Sequence, residues 1–324
     1  MKILYISNGG FGDQSWSTSW PRIWSEKGHE VDVFLMRHTG NPYHANPFIR
    51  KMFVEDKLEA AKKIKSVIDG RLYDSILMPD NNCSGVQDAV GVIKDLKNVH
   101  LFKKQTVIRD DLEIPPWTKP EWYFTDKEYK YIEDLNLKDS ILFHPLSSSV
   151  NEESRNIDFN LIIECSKKIE NIVVLYGGGR KYLPIDDLKR MEAAGIRLLW
   201  EDYNCFNDGS GATLGKFLAL TSQCRASVHA WSGSFTFSMG YNKPYVQLVP
   251  GNSIRQNSSA PYRDTNELYK QGMNRAKCYG ALKPSAWCIS DRPEIVLEAI
   301  ERITEGKTVL YDKDWVNFES MGLK

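Results

Sequence analysis

The sequence predicts an α/β protein built as two parallel-sheet domains that face each other across a cleft. Three observations carry this. Short apolar runs bounded by Gly, Asp or Pro recur along the chain and read as buried parallel strands. Amphipathic stretches such as 57–68, 159–169 and 295–303 lie between them, the alternation expected of α/β architecture. At 324 residues the chain exceeds what one hydrophobic core serves, so two domains are expected.

In the first half the strand candidates are Ile3–Ile6, Val31–Met36, Ser75–Met78 and Val99–Phe102. The segment from Ile114 to Pro120 carries Pro115, Pro116 and Pro120, which block both helix and central strand. After it comes a helical Asp126–Leu137, and the strand series then restarts. Its members are Ile141–Phe143, Ile172–Tyr176, Ile196–Trp200, Ala226–Ala230, Tyr245–Val249 and Trp287–Ile289. The expected units are a Rossmann-like domain over 1–125, a second over 126–306, and a tail over 307–324 that returns to the first.

Composition narrows the function classes. Lys+Arg and Asp+Glu both number 42, so the basic excess of tight non-specific nucleic-acid binders is missing. No apolar run approaches the ~18 residues of a membrane span. The N-terminal Met1–Ile6 reads as a core strand rather than a signal region. A cytoplasmic protein is expected, with peripheral contact to the inner membrane surface left open. The six cysteines contain no C-x-x-C pair and read as reduced, buried thiols without a metal site. Nine tryptophans should mostly be core, although Trp16, Trp20 and Trp24 form an unusual cluster.

Ligands of open α/β sheets bind outside the carboxyl ends of the strands, so the loops there are where chemistry is sought. The first is Asn8-Gly9-Gly10-Phe11-Gly12-Asp13. Gly10 and Gly12 fit a dinucleotide fingerprint, but Ser15 stands at its last glycine and an anion, Asp13, lies between. Asp13 reads as a helix N-cap and as a general base over the cleft, two compatible roles. The second loop, His144-Pro145-Leu146-Ser147-Ser148-Ser149, offers hydroxyls and amides to phosphate oxygens, with Arg155 near enough to neutralise charge. A solvated serine loop is its plain alternative.

The third loop is Tyr176-Gly177-Gly178-Gly179-Arg180-Lys181. Its glycines permit close approach by a ligand, and its two cations suit an anionic one. In the fourth, His229 to Thr236, a strand ends and Ser232-Gly233-Ser234 turns into a helix whose amides and hydroxyls could hold an anion. Ser234 could equally be only a cap. There is no P-loop and no nucleophile elbow. Asp312-Lys313-Asp314 reads as a solvated tail rather than a metal site.

With these loops in view, the sequence resembles the heptosyltransferase family of GT-B glycosyltransferases. The likeness rests on Gly12-Asp13 followed by Thr18 and Pro21, on His144-Pro145-Leu146-Ser147 with Arg155, and on the run VVLYGGG. The fourth loop departs from the family pattern: Trp231 stands where an Asp is typical, and Thr236 where a His belongs. The resemblance implies an inverting, metal-independent transfer that needs no cofactor beyond a nucleoside-diphosphate sugar as co-substrate. Asp13 would deprotonate an acceptor hydroxyl. Ser147, Arg155, Gly177, Gly178, Arg180, Ser232, Gly233, Ser234 and Thr236 would form the donor side. Asn8, Gly10, Gly12, His38 and His44 would form the acceptor side.

The partners implied are a nucleotide-sugar donor and a saccharide or glycolipid acceptor. Three alternatives stand beside this reading. One keeps the chemistry and takes a hydroxymethylated DNA base as acceptor. Another is a non-catalytic, two-lobed binding protein for a small ligand. A third, a nicotinamide-dependent oxidoreductase, is weakened by Asp13 and Ser15 and by Met36-Arg37 at the end of the second strand, where a ribose-binding acid would be needed.

Overall fold

The computed structural model describes residues 1–9, 11–37, 41–79, 86–102, 119–146, 156–175, 185–199, 212–230, 232–248, 285–288 and 292–307. The expected tail over 307–324 lies outside them from residue 308 onward.

The first sheet contains β1 (Lys2–Ser7), β2 (Glu30–Arg37), β3 (Lys51–Asp56), β4 (Ser75–Pro79) and β5 (Val99–Phe102). All pairs are parallel, in the order β3-β2-β1-β4-β5. Its helices are α1 (Phe11–Ser15), α2 (Trp20–Glu26), α3 (Lys57–Asp69) and α4 (Val86–Ile93). Four of the strands fall where their apolar runs place them. Strand β3 was not expected, because KMFVED is charged at both ends and only half-buried, as befits an edge strand.

The second half opens with α5 (Asp126–Glu133). Strands β6 (Ile141–His144), β7 (Ile172–Leu175), β8 (Arg197–Leu199), β9 (Ala226–His229), β10 (Tyr245–Leu248) and β11 (Ser285–Cys288) follow. Between and after them lie α6 (Phe159–Ser166), α7 (Ile185–Ala193), α8 (Ala212–Gln223), α9 (Phe235–Gly240) and α10 (Pro293–Thr304). The strand order is β11-β10-β9-β6-β7-β8, again all parallel. Counted from the first strand of each sheet, both orders follow the Rossmann pattern 3-2-1-4-5, the second sheet adding a sixth strand. The chain reverses between β1 and β4 in one sheet and between β6 and β9 in the other, the positions at which such sheets form ligand crevices.

Apolar burial joins the two sheets as well as filling each. Trp16, Trp20 and Trp24 repeat every four residues and are all buried, Trp16 in the turn between α1 and α2 and the other two on one face of α2. Their rings meet edge to face at 4.5 and 5.5 Å between neighbouring centroids. The cluster they form with Tyr5, Val33 and Tyr43 also takes in Met239 and Tyr245 from the second half. On the opposite face of the first sheet, Leu4, Phe34 and Ile76 pack under Ala60 and Ile64 of α3. Cys165 and Cys224 are free and buried, and burial pushes each thiol up to about 12. Among the described residues no helix is long and apolar enough to cross a membrane.

The crossing segment is tied to both halves. The single N–H of Arg22 Nε is shared between the two Glu121 carboxylate oxygens at 2.8 and 3.0 Å, and the Glu121 amide donates to Thr18 Oγ1 at 2.9 Å. One residue on, Trp122 Nε1 donates to the Thr236 carbonyl at 2.7 Å and its ring meets Phe237 edge to face. Further along, Glu128 lies 2.7 Å from His44 Nε2 and accepts from the Thr125 amide at 2.6 Å. Gly215 on α8 makes room for this pair: a Cβ there would overlap the Glu128 carboxylate and press on the His44 ring. Gly215→Ala is therefore expected to lower stability by about 1–3 kcal/mol, the range for overpacking. Thermal unfolding with an unchanged midpoint would refute this.

Candidate functional site

The two chain reversals are brought together by a backbone contact. A Cβ on Gly12, in α1, would lie 3.0 Å from Gly233 Cα and 3.7 Å from Gly233 N. A side chain on Gly12 would have to push the Gly233 backbone by a few tenths of an ångström, so the loop after β1 packs closely on the main chain of the loop after β9. Asp13 is the third residue of α1, which begins at Phe11. This corrects the capping reading: Asp13 belongs to the first turn itself rather than the position ahead of it. The Asp13 side chain lies outside what the structure describes.

On the first-domain side, Asn8 is buried and its Nδ2 donates to the Pro79 carbonyl at 2.7 Å. That bond locks the carboxyl end of β1 to that of β4, at the chain reversal. Behind it, the Tyr43 hydroxyl donates to Ser7 Oγ at 2.9 Å and shares a 2.8 Å hydrogen bond with Ser17 Oγ. Burial pushes the Tyr43 phenol up to about 12, so it stays protonated as a scaffold hydroxyl. His44 is engaged with Glu128 as described above. Gly10 and His38 lie outside the described residues.

On the second-domain side, Ser232, Gly233, Ser234 and Thr236 follow β9 directly. Ser232 and Ser234 share a hydrogen bond of 2.8 Å between hydroxyls. Ser234 precedes α9 but makes no capping bond with its side chain. Instead its hydroxyl meets His229 Nδ1 at 3.0 Å. Helix α9 is six residues long and offers few aligned peptides, so the hydroxyls rather than a dipole give this loop its polarity. Thr236 is buried, and its hydroxyl donates to the Gly233 carbonyl at 2.6 Å. Ser147, Arg155, Gly177, Gly178, Arg180 and Trp231 lie outside the described residues.

Beneath the loop sits an arrangement that the sequence reading did not single out. His144 and His229 end the neighbouring strands β6 and β9 in register and stack at 4.5 Å with planes 17° apart. His229 Nε2 lies 2.8 Å from Ser227 Oγ and 3.0 Å from Ser238 Oγ, and the two hydroxyls are 2.5 Å from each other. Gln247 Nε2 donates to the Ala230 carbonyl at 2.6 Å and braces the strand end. One signal was available in the sequence. Ser227 and His229 alternate within an apolar strand and so share one face, an unusual polar pair for a core position.

The chain thus has the architecture of an α/β protein with two parallel sheets of Rossmann order. Solved structures with this fold include E. coli ADP-heptose LPS heptosyltransferase II, at TM-score 0.57 and 14% identity over 94% of this chain and 99% of that one. A glycosyl transferase of family 9 from Veillonella parvula is similar at TM-score 0.59 and 12% identity, over 94% and 97%. A Listeria monocytogenes protein described as a UDP-N-acetylglucosamine 2-epimerase is also similar, at 0.51 and 11%, over 97% and 89%. No protein-family model matches the chain, and no curated protein matches it in sequence. The likenesses establish the fold and agree with the GT-B expectation. Transferases and an epimerase share it, so chemistry must be argued from the site.

The buried histidines make one expectation of pH. Burial pushes the His144 imidazole down to about 3, and holds His229 well below its ordinary value, with His144 beside it adding to the effect. A histidine whose folded pKa is depressed binds fewer protons folded than unfolded between that value and about 6.5. For His144, stability therefore falls as pH drops below about 6.5, by up to ~1.4 kcal/mol per pH unit. His144 Nε2 has no hydrogen-bond partner among the described residues, and Phe217 and Phe237 flank the ring, so phenylalanine suits the position. His144→Phe should show a shallower fall in unfolding midpoint between pH 7 and pH 4 than the wild type. Parallel pH profiles for the two proteins would remove His144 from this account.

Proposed function

We propose that this protein is a glycosyltransferase that moves a sugar from a nucleoside-diphosphate sugar to a hydroxyl of a saccharide or glycolipid. The observation that carries the reading is the Gly12–Gly233 contact. It puts Asp13 one residue from the meeting point of the two domains, with the paired hydroxyls of Ser232 and Ser234 on the other side. The fold shared with a solved heptosyltransferase and a family 9 glycosyl transferase supports the assignment.

In the proposed reaction the Asp13 carboxylate takes the proton of an acceptor hydroxyl as its oxygen attacks the anomeric carbon. The bond from that carbon to the diphosphate breaks, and the diphosphate leaves with the electron pair. Attack from the face opposite the leaving group inverts the anomeric centre. Charge that grows on the leaving diphosphate is met by donors set in place beforehand, which is where such sites gain most. Ser232 and Ser234 supply hydroxyls for this, and Ser147, Arg155, Gly177, Gly178 and Arg180 complete the donor side. Thr236 contributes by bracing the Gly233 carbonyl, since its own proton is committed there.

Acceptor recognition falls to the loop from Gly10 to Gly12 and to the segment around His38. Asn8 and His44 shape that face through their bonds to Pro79 and Glu128 rather than by donating to the acceptor. The departures at Trp231 and Thr236 leave the identity of the donor sugar to experiment. A panel of nucleotide sugars screened by thermal shift tests the donor half: a ligand at about 100 times its dissociation constant adds roughly 2.7 kcal/mol of stability. Absence of any shift across the panel would sink the assignment. With a donor in hand, Asp13→Asn should still bind it and lose transfer by about 10²–10⁴-fold. Turnover equal to the wild type would take Asp13 out of the mechanism, and interconversion of the donor sugar without acceptor would point to epimerase chemistry instead.

A further inference from the structure

We propose that His229 is a positioning residue: held as its Nδ1–H tautomer, it turns the Ser232 and Ser234 hydroxyl protons toward the cleft and makes that loop a hydrogen-bond donor to a diphosphate oxygen. This deepens the donor-site reading above and rests on it for the nature of the ligand.

Counting protons decides the tautomer. On its inner side the ring meets a closed triangle of Nε2, Ser227 Oγ and Ser238 Oγ, with edges of 2.8, 3.0 and 2.5 Å. Both serines are fully buried, and neither hydroxyl has another hydrogen-bond partner among the described residues. If Nε2 is bare, two hydroxyl protons serve the triangle: one is donated to the other hydroxyl oxygen and one to Nε2. Both are then satisfied. If Nε2 carries the proton, three protons compete there and Nε2 can accept none of them. One hydroxyl proton is left buried without an acceptor, the costly arrangement. Burial keeps the ring neutral, so the single ring proton sits on Nδ1.

The outer side follows. Nδ1–H donates to Ser234 Oγ across 3.0 Å. The Ser234 proton cannot point back at the ring and must go to Ser232 Oγ, 2.8 Å away, or outward. Two hydroxyl protons share one internal bond, so at least one faces the cleft, and both can when an anion accepts them. In the opposite tautomer Nδ1 would draw the Ser234 proton inward, and Ser234 would offer the cleft a lone pair. A phosphate oxygen accepts and does not donate, so only the Nδ1–H form lets Ser234 serve it, with the Ser232 hydroxyl as a second donor. The ring is fixed in turn by its stack on His144 and by Gln247 Nε2, which donates to the His229 carbonyl at 3.3 Å. No sequence motif announces this device, because it joins residues from β9, the following loop and α9.

Two measurements on the full chain test it. With ¹⁵N-labelled histidine, the ring nitrogens of His229 report the tautomer directly, and a protonated Nδ1 is expected. Binding of inorganic pyrophosphate, ADP and UDP is then compared across variants. His229→Asn keeps an amide donor at the δ position and should bind within about threefold of wild type. His229→Gln moves the amide to the ε position and should bind about tenfold more weakly, the scale of one hydrogen bond to a charged group. In a Ser234→Ala background, which leaves the buried triangle intact, the change at His229 should add almost nothing, since both act through one hydroxyl. A protonated Nε2 in wild type that binds pyrophosphate overturns this proposal while leaving the donor site standing. Equal binding by the Asn and Gln variants overturns it as well. Wild type that binds none of the three probes overturns the donor-site reading, and the proposed ligand with it.

Discussion

The two sheets meet where neither residue has a side chain. Gly12 and Gly233 approach so closely that a methyl group on the first would press on the backbone of the second. Each loop is rooted at the reversal point of its own sheet, one after β1 and the other after β9. Joining the loops therefore joins the two crevices into one. Packing elsewhere serves to hold that approach. The stripe Trp16, Trp20 and Trp24 reaches across to Met239 and Tyr245, and Trp122 presses its ring against the position of Gly240. Interiors are close-packed and transmit small displacements, so the contact depends on apolar residues well removed from it.

A second principle concerns polar groups placed deep in the molecule. Buried donors and acceptors are tolerated when paired, and pairing restricts geometry. Asp32 on β2 is fully buried and accepts from Arg50 at 2.8 and 2.9 Å and from the Tyr73 hydroxyl at 2.9 Å. Glu128 is held by Thr125 and His44. The cluster of His229 with Ser227, Ser234 and Ser238 follows the same logic directly beneath the candidate site. There the restriction has a chemical use, since it fixes which atoms of the loop donate and which accept.

In the proposed reading one domain offers a carboxylate, and the other offers hydroxyls and cations to an anion. Separating the two charges over two domains avoids placing a base beside the phosphates it would repel. On that proposal a glycine loop ending in an acid after β1 has a use, where a dinucleotide-binding domain would keep the space clear for pyrophosphate. A fold this widely shared fixes where ligands lie and leaves the chemistry to the loops.

Much of the architecture was legible in the chain itself. Apolar runs such as Ile141–Phe143 and Ile172–Leu175 are buried on both faces, and that burial writes itself into consecutive residues. Gly12-Asp13 and Ser232-Gly233-Ser234 were visible as loops because strand ends and glycines are local features. Strand β3 escaped because an edge strand needs no continuous apolar run. The capping reading of Asp13 failed because helix starts are set by the chain before them, and α1 begins at Phe11. Tertiary structure alone decided the rest: that Gly12 touches Gly233, that Gly215 clears space for Glu128, and that His229 gathers three serines. Each of these unites residues far apart in the chain or on different elements, and periodicity along one segment carries no record of what packs against it.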